Sequence, residues 1–82
     1  MIKNVIIGKE AWGIHWEENG IDSIRWVMIN GKISNMKKDG IASITWIKIG
    51  DNTEWCSNIN SFYNKKKATA YLKYKKTGEV EK

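Results

Sequence analysis

The sequence predicts a mainly β (α+β) fold: an antiparallel β-meander of about five strands, curled or dimerised, with a short C-terminal helix. Three observations predict it. Turn dipeptides recur at short intervals, the segments between them are β-branched and aromatic, and residues 64–78 change to a lysine-rich pattern with helix boundary signals.

The meander begins with an internal repeat. Asn19-Gly20-Ile21-Asp22-Ser23-Ile24-Arg25-Trp26-Val27-Met28-Ile29 is echoed twenty residues later by Asp39-Gly40-Ile41-Ala42-Ser43-Ile44-Thr45-Trp46-Ile47-Lys48-Ile49. Asn-Gly and Asp-Gly suit the type I′ turn, whose two central residues need positive φ. Asn30-Gly31 and Gly50-Asp51 supply two further turn signals. Two copies are too few for a solenoid, so the repeat reads as successive hairpins of one sheet, over about residues 2–58.

Two-residue turns at these places pair Glu18 with Ile21, Ile29 with Lys32, and Lys38 with Ile41. Opposed residues share a face. Trp12, Ile14, Trp16, Val27, Ile29, Met36, Ile47 and Ile49 then lie on one face with Ser23 and Arg25. Ile24, Trp26, Met28, Ile33, Ile44 and Trp46 lie on the other with His15. The Gly50-Asp51 turn adds Trp55 opposite Trp46, and Met28, Ile33, Trp46 and Trp55 make one row. Both faces are apolar, so the sheet must be covered twice, by curling or by association.

Asn64 is a good N-cap, residues 65–77 are mostly helix formers, and Gly78 suits the C′ position. The pattern predicts a helix over about 64–77 with Ala68, Tyr71, Leu72 and Lys75 on one face. Alternation of Ala68, Ala70, Leu72 and Tyr74 leaves a strand as the rival. Residues 79–82 read as a frayed tail of the single domain 1–82.

Composition narrows the function. Fourteen basic residues oppose nine acids, for a net charge of +5, and six lysines fall within residues 65–76. The single cysteine, Cys56, reads as a small buried hydrophobe of a reducing compartment. No apolar run is long enough for a membrane span or a signal-peptide core, so a cytoplasmic protein is expected. Abundant Ile, Lys and Asn suggest an A/T-rich genome, as in low-GC bacteria and their phages.

Catalytic patterns are missing. One histidine, no Cys/His zinc spacing and no glycine-rich phosphate loop leave neither an enzyme nor a cofactor or metal to expect. Glu17 and Glu18 are adjacent and would point to opposite faces; Asp22 falls opposite Glu17 in the predicted pairing.

The five tryptophans divide into two groups. Trp26, Trp46 and Trp55 read as core. Trp12 and Trp16, flanking Ile14 near Arg25, read as core or as contact residues. The expectation is a non-enzymatic binding protein whose Trp-bearing sheet face (Trp12, Ile14, Trp16, Arg25) meets a protein partner or a second copy of itself. A phage or mobile-element inhibitor of a host nucleic-acid-targeting enzyme is the type this suggests. The alternative is a single-stranded nucleic-acid binder that stacks bases on Trp and Arg, with Lys65, Lys66, Lys67, Lys73, Lys75 and Lys76 tracking phosphates. A sugar-binding module is a third and weaker class.

Overall fold

The computed structural model describes residues 1–18, 20–21 and 23–78. It contains β1 (Glu10–Glu18), β2 (Ile24–Lys38), β3 (Thr45–Ile49), β4 (Trp55–Ser57), a 3-10 turn (Asn58–Asn60), β5 (Ser61–Phe62) and α1 (Lys65–Thr77). All strand pairs are antiparallel, in the order β4-β3-β2-β1-β5. The fold is therefore the mainly β meander with a short C-terminal helix that the sequence predicts. Among the described residues no helix is long and apolar enough to cross a membrane.

One of the expected divisions is absent. Asn30-Gly31 makes no turn; β2 runs straight through it for 15 residues. Asn30 instead donates from Nδ2 to the Ala11 carbonyl at 3.1 Å. A Cβ on Gly31 would lie 3.2 Å from Ile49 Cγ2, so the bare backbone there admits the end of β3. The fifth strand is supplied by β5, beyond the expected end of the meander.

Loop lengths set the register. Glu18 pairs with Ile24 rather than Ile21, and Lys38 with Thr45 rather than Ile41. The first shift is three residues, an odd number, and turns over every side chain of β1 relative to β2. Trp12, Ile14 and Trp16 therefore share a face with Met28 and Trp26, opposite to Val27 and Ile29. The second shift is even and keeps the expected faces. Of the turn residues, Asn19 lies outside the described set. In the other loop Asp39 makes an Asx-type turn: its Oδ1 accepts from the amides of Ile41 (2.9 Å) and Ala42 (3.2 Å). Those two bonds hold its carboxyl below the usual range, and positive φ falls on Ser43 rather than Gly40.

β2 serves two sheet halves. Its first part pairs with β1 and its last with β3, and the register shifts between Ile33 and Asn35. Ser34 Oγ donates toward the Lys48 and Gly50 carbonyls at 3.3 and 3.0 Å, tying this bulge to β3. The bulge lets Ile33 and Met36, three residues apart, both face inward. Ile33 thus leaves the predicted row with Met28, Trp46 and Trp55. The turn at Gly50-Asp51 forms, with Asn52 N bonded to Ile49 O at 3.2 Å. Pairing resumes two residues late, so Trp55 opposes Lys48 and Trp46 opposes Ser57.

The sheet folds over on itself. Ile2, Ala11, Ile33, Ile47, Ile49 and Cys56 form the buried inner cluster, with Val5, Ile29 and Tyr63 packed against it. The layer is thin at its middle: a Cβ on Gly13 would lie 2.7 Å from Cys56 Sγ and 2.8 Å from Ile49 Cδ1. The N-terminal segment closes the cluster. Ile2 N bonds Asn58 O, and Asn58 Nδ2 returns a bond to Ile2 O, both at 2.9 Å. Thr45 N donates to Asn58 Oδ1 at 3.1 Å, so this one side chain joins the segment to β3.

The outer face of the β1–β2 half is covered by α1, which packs on β1, β2 and β5. Ile14 and Ala68 are fully buried there. Phe62 meets Tyr71 at a ring-centre distance of 5.4 Å, and Lys75 Nζ lies 4.9 Å from the Trp26 ring centre. The helix ends follow the local signals. Asn64 Oδ1 accepts from Lys67 N, and Gly78 is left-handed with its amide on Tyr74 O. The expected tail, 79–82, lies outside the described residues.

None of the five tryptophans joins the buried core, including Trp26, Trp46 and Trp55, which were expected in it. The physical reason is thickness. A layer that touches at Gly13 holds isoleucine and cysteine but leaves no room for an indole.

Candidate partner-binding cleft

β5 pairs with β1 only at Trp12 and Gly13. Beyond Gly13, residues 14–18 of β1 have a strand partner on the β2 side alone among the described residues. β1 and β4 approach each other closely at Gly13 and Cys56. The space between them is a cleft of about 520 Å³, lined by residues 14–18, Trp46, residues 54–57 and Asn60. Pockets of roughly 300–1,000 Å³ are the usual size for bound groups.

Three tryptophans reach this cleft from three strands: Trp16, Trp46 and Trp55. Trp16 is 53% exposed, an unusual placement for so large an apolar side chain. Trp46 and Trp55 are half-buried on the outer face of the β3–β4 half. That face carries Lys37 opposite Trp46 and Lys48 opposite Trp55. Lys37 Nζ sits 4.5 Å from the centre of the Trp55 ring.

The charged groups in the cleft are carboxylates. Glu17 accepts from Arg25 Nε at 3.1 Å and also from Arg25 Nη2. The guanidinium holds the Glu17 carboxyl below the usual range. Glu18 and Glu54 form no ion pair with a described residue. Asp22, expected opposite Glu17, lies outside the described residues, and Arg25 takes that place in the register. His15 Nδ1 is 3.2 Å from the Trp16 carbonyl, so a side chain lies against this strand edge. No group of three His, Cys, Asp or Glu among the described residues is placed to hold a metal.

Cys56 lines the cleft but is 1% exposed. Burial first, and then Glu54, push its thiol up to about 11. A thiol that stays protonated at neutral pH is a poor nucleophile. Native protein at pH 8 is therefore expected to react with iodoacetamide at least tenfold more slowly than protein unfolded in urea. Equal rates would show the thiol to be open. The raised value also has a sign for stability: the contribution is complete below the unfolded thiol's range and is lost as pH rises through about 11.

The residues expected to meet a partner are divided by the fold. Trp12 and Ile14 lie on the outer face near α1, with Ile14 fully buried and Trp12 half-buried. Trp16 stands at the cleft, and Arg25 is on the opposite face, paired with Glu17. Lys65, Lys66, Lys67, Lys73 and Lys76 are exposed on α1, outside the cleft. Lys75 is half-buried against Trp26, Tyr71 and Tyr74. Trp46 and Trp55 were not expected at a site. The repeat position of Trp46, and the predicted place of Trp55 opposite it, signalled burial, and nothing local signals that β4 returns to face β1. Comparison with family models, curated proteins and solved structures finds no match to this chain.

Proposed function

We propose that the protein is a non-enzymatic, cytoplasmic binding module that holds a segment of a protein partner in the cleft between β1 and β4. The observation that supports this is the lining: three tryptophans and three glutamates and, among the described residues, no lysine or arginine. Large, rigid aromatics supply much of the energy of protein contacts. Carboxylates at the same place disfavour a phosphate backbone. Acting stoichiometrically on its target suits the small inhibitor anticipated from the sequence.

A second reading has its own support. The exposed lysines of α1 form a basic surface separate from the cleft, and a nucleic-acid phosphate backbone, a single strand in this reading, is a ligand such a surface attracts.

One comparison tests both. Peptides selected from a phage-displayed library of random dodecapeptides are titrated against the wild-type protein and Trp16→Ala. Labelled single-stranded DNA is titrated against the same pair and against Lys65→Ala/Lys66→Ala/Lys67→Ala. Trp16 is more than half exposed, so Trp16→Ala should keep the fold, which an unchanged far-ultraviolet circular dichroism spectrum checks. The module reading expects Trp16→Ala to weaken peptide binding by at least tenfold. Tight, salt-sensitive DNA binding that depends on the lysines and ignores Trp16 would replace it with the second reading.

A further inference from the structure

We infer that the cleft takes its partner as an added β-strand, an extended segment bearing lysine or arginine, laid along the free edge of β1 from Ile14 to Glu18. This rests on the cleft being the partner site and names what enters it. Three features of the structure carry the inference.

The first is an incomplete strand line. β5 occupies the edge of β1 at Trp12 and Gly13 and stops. The 3-10 turn brings the chain in from β4, so β5 has no residues with which to continue past Gly13. Among the described residues no strand covers residues 14–18 of β1, about 17 Å of strand at roughly 3.3 Å per residue, and the His15 imidazole, 3.2 Å from the Trp16 carbonyl, is the side chain an added strand would displace there. An open edge is a template for another strand, because its amides and carbonyls have no sheet partner.

The second is where the edge lies. Exposed edges usually face bulk solvent, but this one forms a wall of the cleft. A strand placed on it would run alongside Trp16 and face Trp55 across the gap. Side chains of an added strand alternate, so every second one would meet indole rings while its backbone pairs with β1.

The third is charge. Arg25 already neutralises Glu17, but Glu18 and Glu54 stand at the two sides of the cleft without a cationic partner among the described residues. The cleft thus favours a cation on the incoming segment, although the protein as a whole is basic. The same carboxylates argue against a second copy's carboxylate-bearing β1 as the added strand.

The experiment uses the dodecapeptides selected above, resynthesised with single N-methyl groups at successive positions. In an antiparallel or parallel strand, alternate amides point to the same side. Methylation at every second position is therefore expected to weaken binding about tenfold or more, with the intervening positions nearly unaffected. Selected peptides are expected to be enriched in Lys and Arg, and Glu18→Gln/Glu54→Gln to weaken them several-fold at low salt. Amide exchange at residues 14–18 should slow on binding. Peptides that need Trp16 but show no alternation would overturn strand addition and leave the cleft as the partner site. Peptides enriched in acids would overturn the cationic segment. Absence of any Trp16-dependent peptide would overturn both the cleft reading and this one.

Discussion

Ile47→Ala is expected to lower stability by about 2–5 kcal/mol, the usual range for emptying a fully buried aliphatic site. Ile47 is 0% exposed, opposes Met36 on β2 and Cys56 on β4, and lies within the inner cluster. Domains generally hold about 0.05–0.15 kcal/mol per residue. For 82 residues that is about 4–12 kcal/mol in all, so the loss is a large fraction of the total. The thin inner layer sharpens the effect, because neighbours on both sides are held by strand pairing and cannot close the cavity. Ile41 is the control. It occupies the tip of the 39–44 loop at 99% exposure, and Ile41→Ala should stay within about 0.5 kcal/mol of wild type. Urea midpoints with unchanged slopes would measure both. Equal losses at the two positions would contradict the burial of Ile47 in the inner cluster.

Gly13→Ala is expected to cost about 1–3 kcal/mol by overpacking. The added methyl would sit 2.7 Å from Cys56 Sγ, 2.8 Å from Ile49 Cδ1 and 3.1 Å from Cys56 Cβ. Two of these distances are shorter than side chains tolerate, and both contacts belong to buried residues. Relief requires the buried Cys56 and Ile49 side chains to leave their packed positions or β1 to move away from β3 and β4, and either disturbs the inner cluster. Gly40→Ala is the matched comparison: nothing lies within 4 Å of its added methyl and its φ is ordinary, so that change should be neutral or slightly stabilising. Gly13→Ala/Cys56→Ala should cost less than the sum of its parts, because each change acts on the same contact. Full additivity would place the two residues apart and remove the contact that closes the cleft at one end.

Trp16 shows how far the candidate site was legible. It read as core or contact, because the predicted register set it near Arg25 and Ser23, and the structure leaves it exposed beside the cleft. Arg25 was grouped with it on the strength of a two-residue turn. The longer loop, by an odd number of residues, put Arg25 on the other face with Glu17. Trp46 and Trp55 were hidden by their own pattern. Trp46 repeats the place of Trp26 among isoleucines and Trp55 was set opposite it, which looks like core, and only the small gap at Gly13 reveals that the core is too thin to take them.

The sequence by itself determined the features whose hydrogen bonds close within a few residues. These are the antiparallel β-rich class and the helix between Asn64 and Gly78 with both caps in place. The Asp39 and Gly50 turns belong here in position if not in length. Tertiary structure decided what depends on distant partners. Asn30-Gly31 extends a strand instead of turning because Ala11 accepts its side chain and Ile49 packs on its backbone. The face shown by each tryptophan follows from loop lengths that the strands choose when they pair. The cleft exists because β4, forty residues after β1, returns to meet it at one glycine. Local propensities are written into adjacent residues; register and closure are set by which long-range burial is most favourable, and no short stretch of sequence contains that comparison.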